Sequence, residues 1–179
     1  KEFPDLVALA FWCRKQNILN LKKKFISSEF RKGLGLVFHI TPSNIPTNFA
    51  YSLLFGLLTG NTNVVKVPSK KFKQIDIVCD VINKTLKKKK FFNLKKKIII
   101  LRYLENNEFT KKISSICDAR LIWGGDKSVN EIRKFKTKEK VLDIAFSDKF
   151  SFCVINAKKM MQLNRFDFNR LVERFYNDT

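Results

Sequence analysis

Apolar residues recur along the chain in two alternating rhythms, short unbroken runs and stripes at helical spacing. "DLVALAFWCRKQN" (5–17) carries Leu6, Leu9, Ala10 and Cys13 on one face and predicts a helix. "GLGLVFHI" (33–40) is a continuous apolar run closed by Thr41-Pro42, the pattern of a buried strand. Helical spacing returns from Pro46 to Leu58 and stops at Thr59-Gly60. "NVVKVP" (63–68) predicts a second strand, and "KQIDIVCDVINKTLKKKK" (73–90) a helix striped by Ile75, Val78, Ile82 and Leu86. A third strand (97–104), a short helix (107–118), a fourth strand (119–125) and a helix opened by Asp126 (126–135) follow. The pattern closes with strands at 140–146 and 150–156 and a last helix from Met160 to Tyr176.

Strands alternating with helices imply an α/β fold, a doubly wound and mostly parallel sheet with helices on both faces. The strands are apolar throughout, as burial on two sides requires. No linker or repeat divides the 179 residues, so one domain is expected. Within it, 1–32 reads as a helical entry region, 33–156 as the βα core and 157–179 as a closing helix.

From Gly33 to Val65 the chain has no Lys, Arg, Asp or Glu. A membrane span needs about 20 predominantly apolar residues. Here Pro42, Asn44, Pro46, Asn48, Asn61 and Asn63 break every run, so the uncharged stretch is not a span. The first residues, "KEFPDLVALAFW", lack the basic region and cleavage site of a secretory signal. The chain starts without Met, and its true N-terminus is expected upstream. Cys13, Cys79, Cys117 and Cys153 stand apart with no metal spacing, and His39 is the one histidine. Reduced, structural thiols in a cytoplasmic protein are expected, Cys153 among them as part of the core.

Charge changes the picture most. Lys and Arg total 36 against 16 Asp and Glu, a formal charge of +20. That invites a nucleic-acid partner. The runs "LKKKF", "LKKKKFFNLKKKIII" and "TKKIS" are Lys rather than Arg, whereas readers of bases and phosphates favour Arg forks and stacking aromatics. Abundant Lys, Asn, Ile and Phe also fit an AT-rich coding bias acting on a solvated surface. That reading is preferred, and attraction of a polyanionic ligand is compatible with either.

Two strand-to-helix junctions carry candidate chemistry. Strand 33–40 runs into "TPSNIP", where Pro46 suits a first helical turn and Asn44 sits where backbone amides welcome an anion or carbonyl oxygen. Strand 119–123 runs into Gly124-Gly125 and then Asp126, a turn that lets backbone approach a ligand. Between them Lys66 lies at a strand's carboxyl end, the edge where open α/β sheets bind ligands. Taken singly, each is as well explained as a cap or a turn.

In order, these pieces resemble a family. "HITPSNIPTNFAYSLLFGLLTGNTNVVKVPSK" is similar to the "P-x-N-x-P … GN-x-V-x-K-x-S" pair of the aldehyde dehydrogenase superfamily. The nearer likeness is to its acyl-CoA reductase branch, the LuxC-type fatty acyl reductases that supply long-chain aldehyde in bioluminescence. "HITPSNIP", "GLLTGNTN" and "LIWGGDKSV" are that branch's motifs, and the likeness runs from about Phe3 to Thr179. The resemblance implies that Ile40, Thr41, Pro42 and Ser43 line a nicotinamide cofactor. It implies that the Asn44 amide donates to a thioester oxyanion, where a donor matters most. Lys66 would reach the adenosine ribose, and Gly124, Gly125, Asp126 and Val129 would sit near the cofactor diphosphate. Ser69 stands where NAD-preferring members carry a glutamate, with Lys70 next to it. Loss of a carboxylate beside a cation suits a 2′-phosphate, so NADPH is expected over NAD.

Departures from the family pattern sharpen the expectation. The general-base glutamate is matched by Ala145 in "AFSDKFS", which disfavours hydrolysis and suits a reductase. "LENNEF" replaces the glycine loop after the third strand. No cysteine falls at the family's nucleophile position, which lies past a segment like "ERFYNDT". The chain therefore reads as most of the cofactor-binding domain of a longer enzyme, unable by itself to reduce an acyl thioester. The resemblance implies a fatty acyl-CoA or acyl-protein substrate, aldehyde formation through a cysteine acyl-enzyme, and assembly as a homo-oligomer or multi-enzyme complex. A basic nucleic-acid-binding module and an inactive truncated relative are the alternatives.

Overall fold

In the computed structural model, residues 2–25, 32–104, 107–149 and 152–178 are described, apart from the side chains of 107, 177 and 178. They fall into two compact units, Lys1–Asp148 and Lys149–Thr179.

The first unit is built on five parallel strands, β1 (Leu36–Ile40), β2 (Thr62–Lys66), β3 (Ile98–Leu101), β4 (Ala119–Trp123) and β5 (Leu142–Phe146). Their order across the sheet is β3-β2-β1-β4-β5, the doubly wound arrangement. Helices α1 (Pro4–Trp12), α3 (Asn48–Leu58) and α4 (Lys73–Leu86) cover one face of β1–β3. There Leu9, Phe49, Ala50, Leu53 and Ile75 close on Val65 and Val67. Helices α6 (Asn107–Ile116) and α7 (Asp126–Arg133) take the opposite face. On that side Ile113, Val129 and Ile132 pack on Phe38, Ile40, Val64 and Ile122. The expected α/β sheet with helices on both faces is what forms.

Several boundaries differ from expectation, for local reasons. The helix expected over 5–17 breaks at Cys13-Arg14, and α2 (Lys15–Phe25) begins beyond the break. Asn17 Nδ2 donates to the Phe11 carbonyl at 2.8 Å, satisfying a group that helix continuation would have used. The stretch 46–47 is a turn before α3, with the Asn48 N–H bonded to the Ile45 carbonyl. After α4 the lysines form a single 3-10 turn (Lys89–Phe91) and the short α5 (Phe92–Lys95) rather than more helix. The extended backbone of Lys88 starts this reversal into β3.

The expected strand at 150–156 is a correction. Residues 150 and 151 lie outside the described residues, and 152–156 form no strand. A strand exists only through pairing, and no described segment pairs with this one. Phe152 and Val154 are exposed, and so is Cys153, which is not core. In the second unit the expected last helix is two, α8 (Ala157–Met161) and α9 (Arg165–Asp178). Asn156 Oδ1 accepts from the Lys159 N–H, and Asn164 Oδ1 from the Asp167 N–H, so an asparagine caps each start. No helix of the described residues is long and apolar enough to cross a membrane.

Candidate functional site at the carboxyl edge of the sheet

Chain direction decides where a site can form. From β1 the chain leaves through Thr41–Asn44 to α3 on one face, and from β4 through Gly124-Gly125 to α7 on the other. The two exits diverge beside each other, because β1 and β4 are neighbours paired from Val37↔Ala119 to Ile40↔Ile122. Such a reversal opens a crevice at the carboxyl ends of the strands. The register Ile40↔Lys66 sets the end of β2 level with it. One edge thus gathers Thr41, Pro42, Ser43, Asn44, Lys66, Ser69, Lys70, Gly124, Gly125 and Asp126.

The members are held differently. Thr41 is buried, and both its N–H and its hydroxyl donate to the Lys66 carbonyl, at 3.3 and 2.8 Å. The first turn is thereby tied to the end of β2. Ser43 and Asn44 are exposed. Ile40 and Val129 are buried in the core cluster beneath the edge rather than open to it. Lys70 Nζ lies 5.2 Å from the Phe72 ring centroid.

Sequence reasoning missed two residues here. Tyr103, just beyond β3, lies under the Lys66 ammonium, 5.2 Å from ring centroid to Nζ. Its carbonyl accepts from the Ser69 hydroxyl at 2.9 Å, and its own hydroxyl pairs with Thr110 at 2.7 Å. Burial pushes the Tyr103 phenol up. The apolar run 97–104 hides it inside the expected strand, although an aromatic two residues past a carboxyl end is the available signal. The second is Asp148. Its Oδ2 accepts from the Asp126 N–H at 3.2 Å, so a carboxylate stands at the start of α7. A Cβ on Gly125 would lie 3.0 Å from the same oxygen, so any other residue there would crowd the Asp148 carboxylate. Next to the turn, the buried indole Nε1 of Trp123 has no acceptor among the described residues.

Beneath the edge lies a polar network inside the uncharged stretch. His39 is fully buried, with Nδ1 2.7 Å from Ser52 Oγ and Nε2 2.9 Å from Asn63 Oδ1. Asn63 spends its amide on the Asn61 carbonyl, so its oxygen accepts from His39 Nε2–H and Nδ1 accepts from Ser52. This is the neutral imidazole, and burial holds its pKa below the usual histidine value. A Cβ on Gly56 would collide with Asn63 Oδ1 and crowd His39, which is why α3 carries glycine there. Burial pushes the Cys13, Cys79 and Cys117 thiols up, away from nucleophilic character. Among the described residues no group of His, Cys, Asp and Glu could hold a metal ion.

The same fold occurs in aldehyde dehydrogenases. Glyceraldehyde-3-phosphate dehydrogenase GapN from Methanocaldococcus jannaschii, solved with NADP, superposes with a TM-score of 0.54 at 22% identity. The match covers 67% of this chain and 27% of that one. Aldehyde dehydrogenase from Bartonella henselae gives 0.52 at 16% identity, over 74% of this chain and 29% of its own. Bifunctional proline utilization A gives 0.52 at 16% identity, over 64% and 12%. This chain therefore spans less than a third of the length of these solved relatives, and at such identities they define the fold. No curated protein is similar enough to match. The sequence pattern of the acyl-CoA reductase (LuxC) family matches residues 12–179, and the chain belongs to that family.

Proposed function

We propose that the chain is the cofactor-binding part of an NADPH-dependent reductase that converts a fatty acyl-CoA or acyl-protein thioester to an aldehyde. One observation carries this reading. Thr41–Asn44, Lys66–Lys70 and Gly124–Asp126 meet at the carboxyl edge beside the β1/β4 crevice, in a chain that the acyl-CoA reductase family matches over 12–179. The residues fit a dinucleotide. The Gly124-Gly125 turn ends β4 at the crevice, and the Trp123 indole offers an unused buried donor beside it. Bound there, the cofactor would supply a hydride.

The chain's own groups bind and orient. Lys66, fixed over Tyr103, and Ser69, fixed to the Tyr103 carbonyl, present a cation and a hydroxyl to the adenosine ribose, with Lys70 adjacent. Ser69 stands where NAD-preferring members of the family carry the carboxylate that holds the 2′-hydroxyl, which favours a 2′-phosphate. Asn44, exposed at the mouth, donates its side-chain amide to the thioester oxygen as charge develops. Ala145 packs against the core cluster and supplies no base to activate water, in keeping with release of aldehyde rather than acid. The nucleophilic cysteine is not among Cys13, Cys79, Cys117 and Cys153, so the 179 residues alone bind cofactor without turnover.

Fluorescence titration of the Ser69→Glu variant with NADPH and NADH tests this reading. The wild type is expected to bind NADPH the tighter by about tenfold, and the variant to lose or reverse that preference. Equal affinities in both proteins would overturn the assignment of this edge to the ribose.

A further inference from the structure

The strongest charge feature of the molecule lies away from the candidate site, at the end of the sheet where β3 begins. Between Lys84 and Lys97 stand eight lysines, Lys84, Lys87, Lys88, Lys89, Lys90, Lys95, Lys96 and Lys97, with no Asp, Glu or Arg among them. All eight are exposed. None forms an ion pair among the described residues, while Lys97 Nζ also reaches the Gly60 carbonyl at 3.3 Å. The break of α4 into the 3-10 turn and α5 is what packs these charges into one compact reversal.

Aromatic rings are set among the lysines. Lys90 Nζ lies 5.0 Å from the Phe91 centroid and Lys96 Nζ 4.6 Å from that of Phe92. Phe92 is 60% exposed, so a large apolar ring stands in water with ammonium groups about it. An apolar groove of about 460 Å³ opens beside the same segment, lined by Val81, Leu86, Leu94 and Ile98 among others. Uncompensated cations would be stabilised by a dense anionic surface, and an exposed phenylalanine by a hydrocarbon boundary. A bilayer of anionic phospholipid offers both at once.

We propose that residues 84–97 form a docking surface for an anionic phospholipid membrane. Clusters of four to eight basic residues suffice for such attachment, each worth about a factor of five in binding. Lysine alone is enough, since the contact is with a diffuse negative potential rather than with individual bases or phosphates. Nucleic acid shares the negative charge but would gain more from Arg forks, absent here. The inference goes beyond the cofactor reading and does not depend on it. With docking at the amino end of the strands, the carboxyl edge is left clear.

Co-sedimentation with vesicles tests the proposal. The protein is mixed with phosphatidylcholine vesicles, with vesicles also containing phosphatidylserine, and with random-sequence duplex DNA, at low and high salt. Binding is expected to the phosphatidylserine vesicles alone, falling as salt screens the charges. Replacing Lys87, Lys88, Lys89 and Lys90 by Gln should weaken it on the order of a hundredfold or more. Replacing Lys15, Lys22, Lys23 and Lys24 of α2 by Gln, an equal loss of charge elsewhere, should cost less than about a tenth of that. Phe92→Ser should weaken vesicle binding further at high salt, where only the apolar contact survives. Circular dichroism confirms that each variant keeps its fold. Equal losses in the two lysine variants would reduce the patch to general charge and overturn the proposal. So would tighter binding to DNA than to vesicles, which would make this surface a nucleic-acid site.

Discussion

β1 and β5 are both short apolar strands in one parallel sheet, yet they live in different surroundings. β1 lies at the centre, paired on both sides, and from Val37 to Ile40 every residue is buried. β5 lies at the edge. Asp143 and Ala145 turn toward the covered face, whereas Leu142, Ile144 and Phe146 are exposed on the other. The difference teaches that apolar character marks a strand but does not say whether a helix covers it. Around β1 the polar groups had to be satisfied internally, which produced the His39 network. Around β5 a single polar device suffices. Arg120 of β4, itself buried, is held by Asp143 through two bonds of 2.6 Å and donates to the Ile132 carbonyl.

The largest effect is expected where that device is broken. Asp143→Ala leaves a buried guanidinium without its partner and should cost about 3–5 kcal/mol in urea unfolding. Next comes the crowded site under α3. Gly56→Ala drives a methyl group into Asn63 and should cost about 1–3 kcal/mol, enough to lower the melting temperature by several degrees.

The third test is pH. Folded His39 stays neutral below the usual histidine value, whereas in the unfolded chain it takes up a proton near pH 6.5. The unfolded state then binds more protons, so stability is full above that pH and falls as pH drops below it. The slope is at most about 1.4 kcal/mol per pH unit. Melting curves of the wild type and of His39→Gln between neutral and mildly acidic pH should show the slope in the first and its loss in the second. The smallest effect belongs to the bare face. Ile144→Thr should change stability by less than about 0.5 kcal/mol, and a larger loss would mean that β5's outer face is covered.

Much of this architecture was legible beforehand, because alternating apolar runs and stripes are a direct trace of two-sided burial. The five strands of the sheet and the helices α3, α4, α6 and α7 between them follow the expected pattern within a few residues, whereas the 3-10 turn and α5 do not. The sixth strand was not a strand, because "FSFCVIN" has strand-like side chains but no described partner, and pairing is not a property of a segment alone. At the break after α1 the Phe11 carbonyl accepts from the Asn17 amide and the Arg14 N–H, local bonds that periodicity does not register. At the site, Thr41, Lys66 and the Gly124-Gly125 turn follow from strand ends and glycine. Tyr103 and Asp148 act through contacts across 34 residues to Ser69 and 22 to Asp126, distances over which sequence spacing carries no information.

Asp148 leads to a finer test of the edge. Its carboxylate occupies the start of α7, where the diphosphate of a dinucleotide is proposed to lie. Asp148→Asn removes a like charge and should tighten NADPH binding roughly threefold, a small effect because the group is exposed and screened.

Hydrogen–deuterium exchange with and without NADPH tests the central claim most directly, since it reads position rather than affinity alone. The account predicts slower exchange at 41–44, 66–70 and 124–129 on addition of the cofactor, with 84–97 unchanged. Slowing confined to the lysine-rich 84–97, or none at the carboxyl edge under saturating NADPH, would contradict it.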